Sequence, residues 1–172
     1  MIYVLDATAF IFGFIPAKTF PLYTTDDVIK EVVKNKFSRL KIDTLISQGV
    51  IKVITPPRQY ILEVEKRALF LSELKLSKAD KSIIALSLYL RDTERNQVTI
   101  VTDDYSLQNV ASTLGIKFKS LTVKGITKEI EWILYCPACG KSVKETKENF
   151  CPICGHKMKR KPKRILQNGS SQ

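Results

Sequence analysis

Short apolar runs alternate with helical patterns through the first two thirds of the chain, the rhythm of an α/β domain with a parallel sheet. Ile2 to Leu5 is a β-rich run ending at Asp6, which reads as a buried strand. Thr24 and Asp27 have capping-box spacing ahead of a helix through Val28, Ile29, Val32 and Val33. Residues 37–48 predict a second helix, and Val50 to Ile54 a strand stopped by Pro56 and Pro57. Gln59 to Leu71 is helical in pattern. Ser77 and Asp80 repeat the capping-box spacing before the strongly apolar stretch Ile83 to Leu90. Gln97 to Thr102 predicts another buried strand, Tyr105 to Leu114 a helix closed by Gly115, and Ile116 to Phe118 a last short strand.

Beyond residue 120 the pattern changes. We expect a domain over 1–120, a linker over 121–132 with Gly125 as its flexible point, a small module over 133–158 and a flexible basic tail over 159–172.

Composition narrows the class. The 172 residues carry 28 Lys and Arg against 17 Asp and Glu, a formal +11, in an ordinary globular mixture that excludes wholesale disorder. Residues 131–172 hold nine basic and three acidic side chains, so about a quarter of the chain carries more than half the net charge. No apolar run approaches the roughly 18 residues of a membrane span. The start, with Asp6 and no leading basic cluster, does not read as a signal peptide, and we expect a cytoplasmic protein with no membrane partner. The net charge points to a polyanion.

Acids stand where an α/β sheet places ligands, beyond the carboxyl ends of its strands. Asp6 and the pair Asp103 and Asp104 each follow an apolar strand. Asp80 lies in the first turn of one helix, and Glu31 borders the apolar stripe of another. Singly, Asp80 reads as a cap, Asp103 and Asp104 as a turn, and Glu31 as a solvated residue. Asp6 is harder to dismiss, because a carboxylate ending a buried strand needs a partner or a cation. Several carboxylates in one cleft repel unless a divalent ion joins them, and oxygen-only ligation suits Mg²⁺ or Mn²⁺. Such a site can hydrolyse phosphodiesters. Other routes lack parts: no P-loop or Gly-x-Gly-x-x-Gly occurs, and the one His, His156, lies far along the chain beside the cysteines.

The ordered set Val4-Leu-Asp6-Ala-Thr8, Glu31, Lys78-Ala-Asp80-Lys-Ser and Val101-Thr102-Asp103-Asp104 resembles the motifs of PIN-domain ribonucleases. The resemblance implies a PIN-like parallel sheet with helices on both faces. It also implies Mn²⁺ or Mg²⁺ held by Asp6, Glu31, Asp80 and an acid of the Asp103–Asp104 pair, with Thr8 and Thr102 supporting them. By spacing Asp104 matches the more constant family position, but the sequence leaves open which of the two is indispensable.

Cys136-Pro-Ala-Cys139-Gly140 and Cys151-Pro-Ile-Cys154-Gly155 are two Cys-x-x-Cys-Gly knuckles at the spacing of a Cys₄ zinc site. One structural Zn²⁺ per chain would supply the folding free energy that so small a module cannot draw from a core. Lys157, Lys159, Arg160, Lys161, Lys163 and Arg164 then fall within eight residues, and Lys141, Lys144 and Lys147 lie between the knuckles. Beside a zinc ribbon and a phosphodiesterase site, these nine read as a grip on an RNA backbone.

A PIN-like domain followed by a Cys₄ ribbon resembles the NIN-one-binding protein family of ribosome-assembly endonucleases, in its archaeal form. That implies cleavage of precursor small-subunit ribosomal RNA at its mature 3′ end within a pre-ribosomal particle, with ribosome-assembly proteins as further partners. The alternatives are a toxin-type PIN ribonuclease acting on transfer or messenger RNA, and a non-catalytic RNA-binding scaffold.

Overall fold

The fold is taken from a computed structural model of the whole chain. It describes residues 1–172 apart from 15, 17–19, 34–35, 74–75, 123–127, 145–149 and 168–172, and at 36–38, 128–129 and 164–167 it describes the backbone alone.

Five strands form one parallel sheet: β1 Ile2–Leu5, β2 Leu22–Thr24, β3 Ile51–Val53, β4 Val98–Val101 and β5 Lys117–Lys119, in the order β3-β2-β1-β4-β5. Side chains alternate across it with the period of two that extended chain imposes. Ile2, Val4, Val98 and Ile100 pack on one face with helices α2 Asp26–Val32, α4 Arg58–Phe70, α5 Lys78–Glu94 and α6 Tyr105–Thr113. Leu5, Leu22, Ile51 and Val101 pack on the other with α1 Ala7–Ile11 and α3 Lys36–Ser47. Helix α5 is the centre of the larger core, burying Ile83, Ile84, Leu86, Leu88 and Leu90. Each such side chain contributes roughly 1.5–3 kcal/mol by leaving water.

Of the two expected capping boxes, one is corrected and the other holds. Thr24 is not a cap: it belongs to the interior strand β2, which its shortness concealed, and Thr25 caps α2 by accepting from Val28 N at 3.4 Å. The Ser77–Asp80 pair forms a true capping box, each side chain accepting from the other's backbone.

The C-terminal module is a three-stranded antiparallel sheet in the order β7-β6-β8, from β6 Lys128–Tyr135, β7 Ser142–Val143 and β8 Lys159–Gln167. The flexible tail predicted over 159–172 is thereby corrected: through Gln167 it is a strand, paired along all of β6. Residues 128–132 of the supposed linker are likewise strand, and Gly125 lies outside the described residues. Alternating Lys and Arg hid the second strand, because β8 has few apolar residues of its own and is ordered by its partner.

The module docks on the α/β domain through backbone and amide groups. Trp132 N donates to Leu71 O at 3.1 Å, and Ser72 Oγ to Lys144 O at 2.9 Å. Asn109, in α6, donates to Ile130 O and accepts from Ile130 N at 2.9 and 2.8 Å, as a neighbouring strand would. Glu73, only 4% exposed, is the centre of the junction. It accepts from Asn109 Nδ2, Trp132 Nε1 and the Arg160 guanidinium at 3.0, 2.9 and 2.9 Å.

Candidate functional site

The sheet order reverses direction between β1 and β4, and the carboxyl ends of those two strands carry the acids. Crevices of this kind are where open α/β sheets bind ligands. Asp6 ends β1 and is 4% exposed. Its Oδ2 accepts from Thr102 Oγ1 at 2.8 Å and from Thr8 Oγ1 at 3.3 Å. Both hydroxyls also accept a backbone N–H from the end of β4: Thr102 from Asp104 and Thr8 from Asp103. Two threonines therefore clamp the ends of neighbouring strands around one carboxylate. Burial pushes the Asp6 carboxyl above its ordinary value, against the donation from Thr102, and the negative charge of Asp104 adds to the rise.

Asp80 shows the same conflict. Burial raises its carboxyl although Ser77 donates to it, and Asp104 and Asp6 raise it further. The three carboxylates feel one another's charge, and a cation among them would relieve it.

The Asp103–Asp104 pair divides. Asp103 turns away to the loop after β5, where its carboxylate accepts from Leu121 N at 2.8 Å and from Thr122 Oγ1 at 2.6 Å. Desolvation works against ionisation there, but these donors outweigh it and hold the Asp103 carboxyl below its ordinary value. Asp104 stays with Asp6 and Asp80 electrostatically while its Oδ1 caps α6 through Ser106 N and Leu107 N at 2.7 and 3.0 Å. Glu31 stands exposed near the end of α2, and among the described residues no hydrogen bond or ion pair joins it to the other acids. The acids form an open arrangement rather than a cage. Among the described residues only the cysteines bring three or more such ligand atoms within 4.8 Å of one another. A hard divalent cation that keeps several of its waters and uses few protein carboxylates suits a loose acidic set of this kind.

Sequence reasoning missed a buried bond between the starts of α2 and α5. Thr25 Oγ1 and Ser82 Oγ lie 2.7 Å apart, both buried. Ser82 gives its one proton to Ala79 O at 2.8 Å, so Thr25 is the donor of the pair. This bond ties the start of α2 to the first turns of α5. No motif marks it, because each residue is an unremarkable polar position in the linear chain.

The four cysteines converge. All are free thiols, and their sulfurs lie within 4.8 Å of one another. Each knuckle is closed by backbone bonds, from Cys136 N to Lys141 O and from Cys151 N to His156 O, both at 2.8 Å. Gly140 and Gly155 take φ of 73° and 68°, the left-handed turn that a side chain would oppose. Donation from Cys154 N and then Ile153 N lowers the Cys151 thiol to about 6. Cys136 is lowered in the same way by Cys139 N. Four sulfurs at this separation fit tetrahedral Zn²⁺ with no open position.

The basic residues disperse. Lys141, Lys157, Lys159 and Lys161 are exposed, and the Lys161 ammonium lies 5.0 Å from the Tyr135 ring centroid. Lys144 sits over Phe70 at 5.3 Å. Lys163 pairs with Glu131 at 2.9 Å. Arg160 is the correction: the guanidinium assigned to RNA instead holds Glu73 and covers Trp132 at 4.7 Å, inside the docking junction. Its neighbours in a basic run gave no sign that this one points inward. Lys147 and the Arg164 side chain lie outside the described residues.

Residues 3–90 match the family described as PIN domain of ribonuclease, and residues 126–172 the family described as Nin one binding (NOB1) Zn-ribbon like. Endoribonuclease Nob1 of Pyrococcus abyssi is 38% identical over 143 residues, covering 83% of this chain and 81% of that protein. The chain belongs to the Nob1 endoribonuclease family. It carries both parts of a Nob1 protein and is a hydrolytic endoribonuclease by that membership. Endoribonuclease Nob1 of Methanothermobacter thermautotrophicus is 33% identical, over 79% of this chain and 78% of that protein. Similarity extends to Ribonuclease VapC1 of Thermoplasma acidophilum, 40% identical over 82% of this chain and 69% of that protein. Among the described residues no helix is long and apolar enough to cross a membrane.

Proposed function

We propose that this chain cleaves precursor small-subunit ribosomal RNA to form its mature 3′ end within a pre-ribosomal particle in the cytoplasm. The observation that carries the reading is the buried Asp6 carboxylate, clamped by Thr102 and Thr8 at the switch point of the sheet and crowded by the charges of Asp104 and Asp80. Asp6, Asp80 and Asp104 would hold Mn²⁺ or Mg²⁺. The family resemblance adds Glu31 as a fourth carboxylate. A cation held there would supply the positive charge that activates water and stabilises the leaving oxygen of the phosphodiester. Thr102 and Thr8 orient Asp6 by donating to it, and the clamp keeps it in place when the cation leaves. Asp103 anchors the loop at residues 121–122 rather than the metal. The ribbon's Zn²⁺ is structural, and the exposed Lys141, Lys144, Lys157, Lys159, Lys161 and Lys163 steady the RNA backbone.

A second reading, a toxin-type ribonuclease acting on transfer or messenger RNA, draws on the likeness to VapC1. The ribbon match over 126–172 favours the first. Incubation of a small-subunit RNA 3′-end fragment with the protein and Mn²⁺, followed by mapping of the cut, tests it. Wild type should cut at the mature end and Asp6→Asn should not, while still binding the RNA. Unchanged cleavage by Asp6→Asn, or cutting only of transfer or messenger RNA, overturns the reading.

A further inference from the structure

A cavity of about 530 Å³ opens between the first turns of three helices, lined by Asp27 of α2, by Arg58, Ile61 and Glu65 of α4, by Lys78, Lys81 and Ser82 of α5, and by Thr55 and Pro56 ahead of α4. Nothing derived above uses it. We propose that this cleft seats one nucleotide of the RNA strand next to the scissile bond, the base against Pro56 and Ile61 and its phosphate at Arg58, Lys78 and Lys81.

Three observations carry the assignment. The first is position. Lys78, Lys81 and Ser82 lie in the opening turns of α5, so the cleft opens at the same end of that helix as Asp80, a proposed metal ligand. The second is size and lining. Pockets for small ligands run from roughly 300 to 1,000 Å³ with mostly apolar walls and a few polar groups, which suits a nucleoside. The third is charge. Three cations face two acids at the rim, a balance that favours an anion. Lys78 pairs with Asp27 at 2.9 Å and Lys81 with Glu65 at 3.3 Å, and each pair has one more exposed member, Lys78 at 82% and Glu65 at 45%. Ion pairs with a solvent-exposed member contribute little, so a phosphate can replace either acid. Arg58 is exposed and, among the described residues, has no hydrogen bond or ion pair. Its forked guanidinium matches two phosphate oxygens.

The proposal rests on the chain acting on RNA, but its test does not require cleavage. The full-length Asp6→Asn protein, with Mn²⁺, is titrated by fluorescence anisotropy into a single-stranded oligoribonucleotide spanning the mature 3′ end, at several salt concentrations. In that background Arg58→Ala should weaken binding by about tenfold and flatten the slope of log K against log salt by about 0.7, the loss of one single-strand phosphate contact. Thr55→Trp, at an exposed position on the rim, should weaken binding by filling the mouth. Lys117→Glu removes a cation at the amino edge of the sheet and should leave the affinity as it was. With 4-thiouridine in the oligonucleotide, photo-crosslinks should fall on 55–61 or 78–82. Unchanged affinity and slope in Arg58→Ala, with crosslinks confined to the ribbon, overturns the cleft. Failure of wild type to cut would instead count against the ribonuclease reading, and the two results are separable.

Discussion

The Thr102 hydroxyl donates to Asp6 at 2.8 Å across 96 positions of sequence, and the same oxygen accepts the Asp104 N–H at 3.1 Å. One buried hydroxyl thus sets the carboxylate of β1 and the backbone from which Asp104 springs. Thr102→Val keeps the shape and removes both interactions. Support of a metal ligand by a neighbouring donor is worth about 10–100-fold in affinity or activity. We expect Mn²⁺ affinity and cleavage to fall within that range in Thr102→Val, and Thr102→Ser to restore most of both. Equal Mn²⁺ titrations for Thr102→Val and wild type would refute the role.

The raised Asp6 and Asp80 carboxyls fix the sign of two pH effects. A carboxyl whose folded pKa is raised stabilises the fold below its unfolded value and loses that contribution as pH rises through the folded one. At neutral pH, without a divalent cation, ionised Asp6 therefore weakens the fold. Asp6→Asn should melt higher than wild type near pH 7 without added Mn²⁺ or Mg²⁺, and the gain should vanish below the ordinary carboxylate value of 3.8. Cleavage should move the other way. Both acids must be ionised to take a cation, so the acidic limb of the rate profile should lie above 3.8 and shift down with added Mn²⁺.

Asp103 and Asp104 separate stability from catalysis. Asp103→Asn weakens acceptors that hold Leu121 and Thr122, so thermal stability should drop by about 1 kcal/mol while cleavage stays within a few-fold. Asp104→Asn retains a good helix cap, because Asn caps about as well as Asp. It should melt close to wild type yet lose cleavage by about two orders of magnitude. A reversal of the two phenotypes would assign the metal to Asp103 instead.

How much of this is legible in the sequence depends on range. Buried strands β1 and β4 are readable because apolar runs in a parallel sheet leave little choice, and the cysteine knuckles because tetrahedral ligation fixes their spacing. Strand β2 is not, since Leu22, Tyr23 and Thr24 acquire meaning only between β1 and β3. Nor is β8, whose Lys-rich run is ordered by β6. At the site, the acids announce themselves by following strands, but orientation is invisible: nothing linear tells that Asp103 faces a loop while its neighbour caps a helix. The junction fails for the same reason. Glu73, Asn109, Trp132 and Arg160 are distant in sequence and ordinary alone.

Glu73 supplies a direct probe of that junction. Its buried carboxylate serves two strands of the ribbon and one helix of the nuclease domain. Removing one member of a fully buried ion pair costs about 3–5 kcal/mol, and the partial exposure of Arg160 lowers that here to about 2–3 kcal/mol. Glu73→Gln should lose that much in denaturant unfolding. Arg160→Gln added to it should cost less than the sum of the two single changes, the signature of a coupled pair. Strict additivity would mean that the contact contributes nothing to docking.

Zinc removal should open the ribbon and leave the larger domain standing. The ribbon's own core is small, with Leu134, Met158 and two of the cysteines, so metal ligation supplies much of its folding free energy. The larger core around α5 contains no residue of the ribbon. Trp132 is the chain's one tryptophan, held against Arg160 with its indole N–H on Glu73, so its emission reports the junction alone. A strong chelator at neutral pH should shift that emission to the red and expose residues 133–158 to protease, while α-helical circular dichroism changes little. Cys151→Ser should reproduce the chelated state without chelator. If Trp132 emission and proteolysis are unmoved by chelation, the cysteine cluster does not hold the ribbon together and β6–β8 pairing with the Glu73 contacts must suffice.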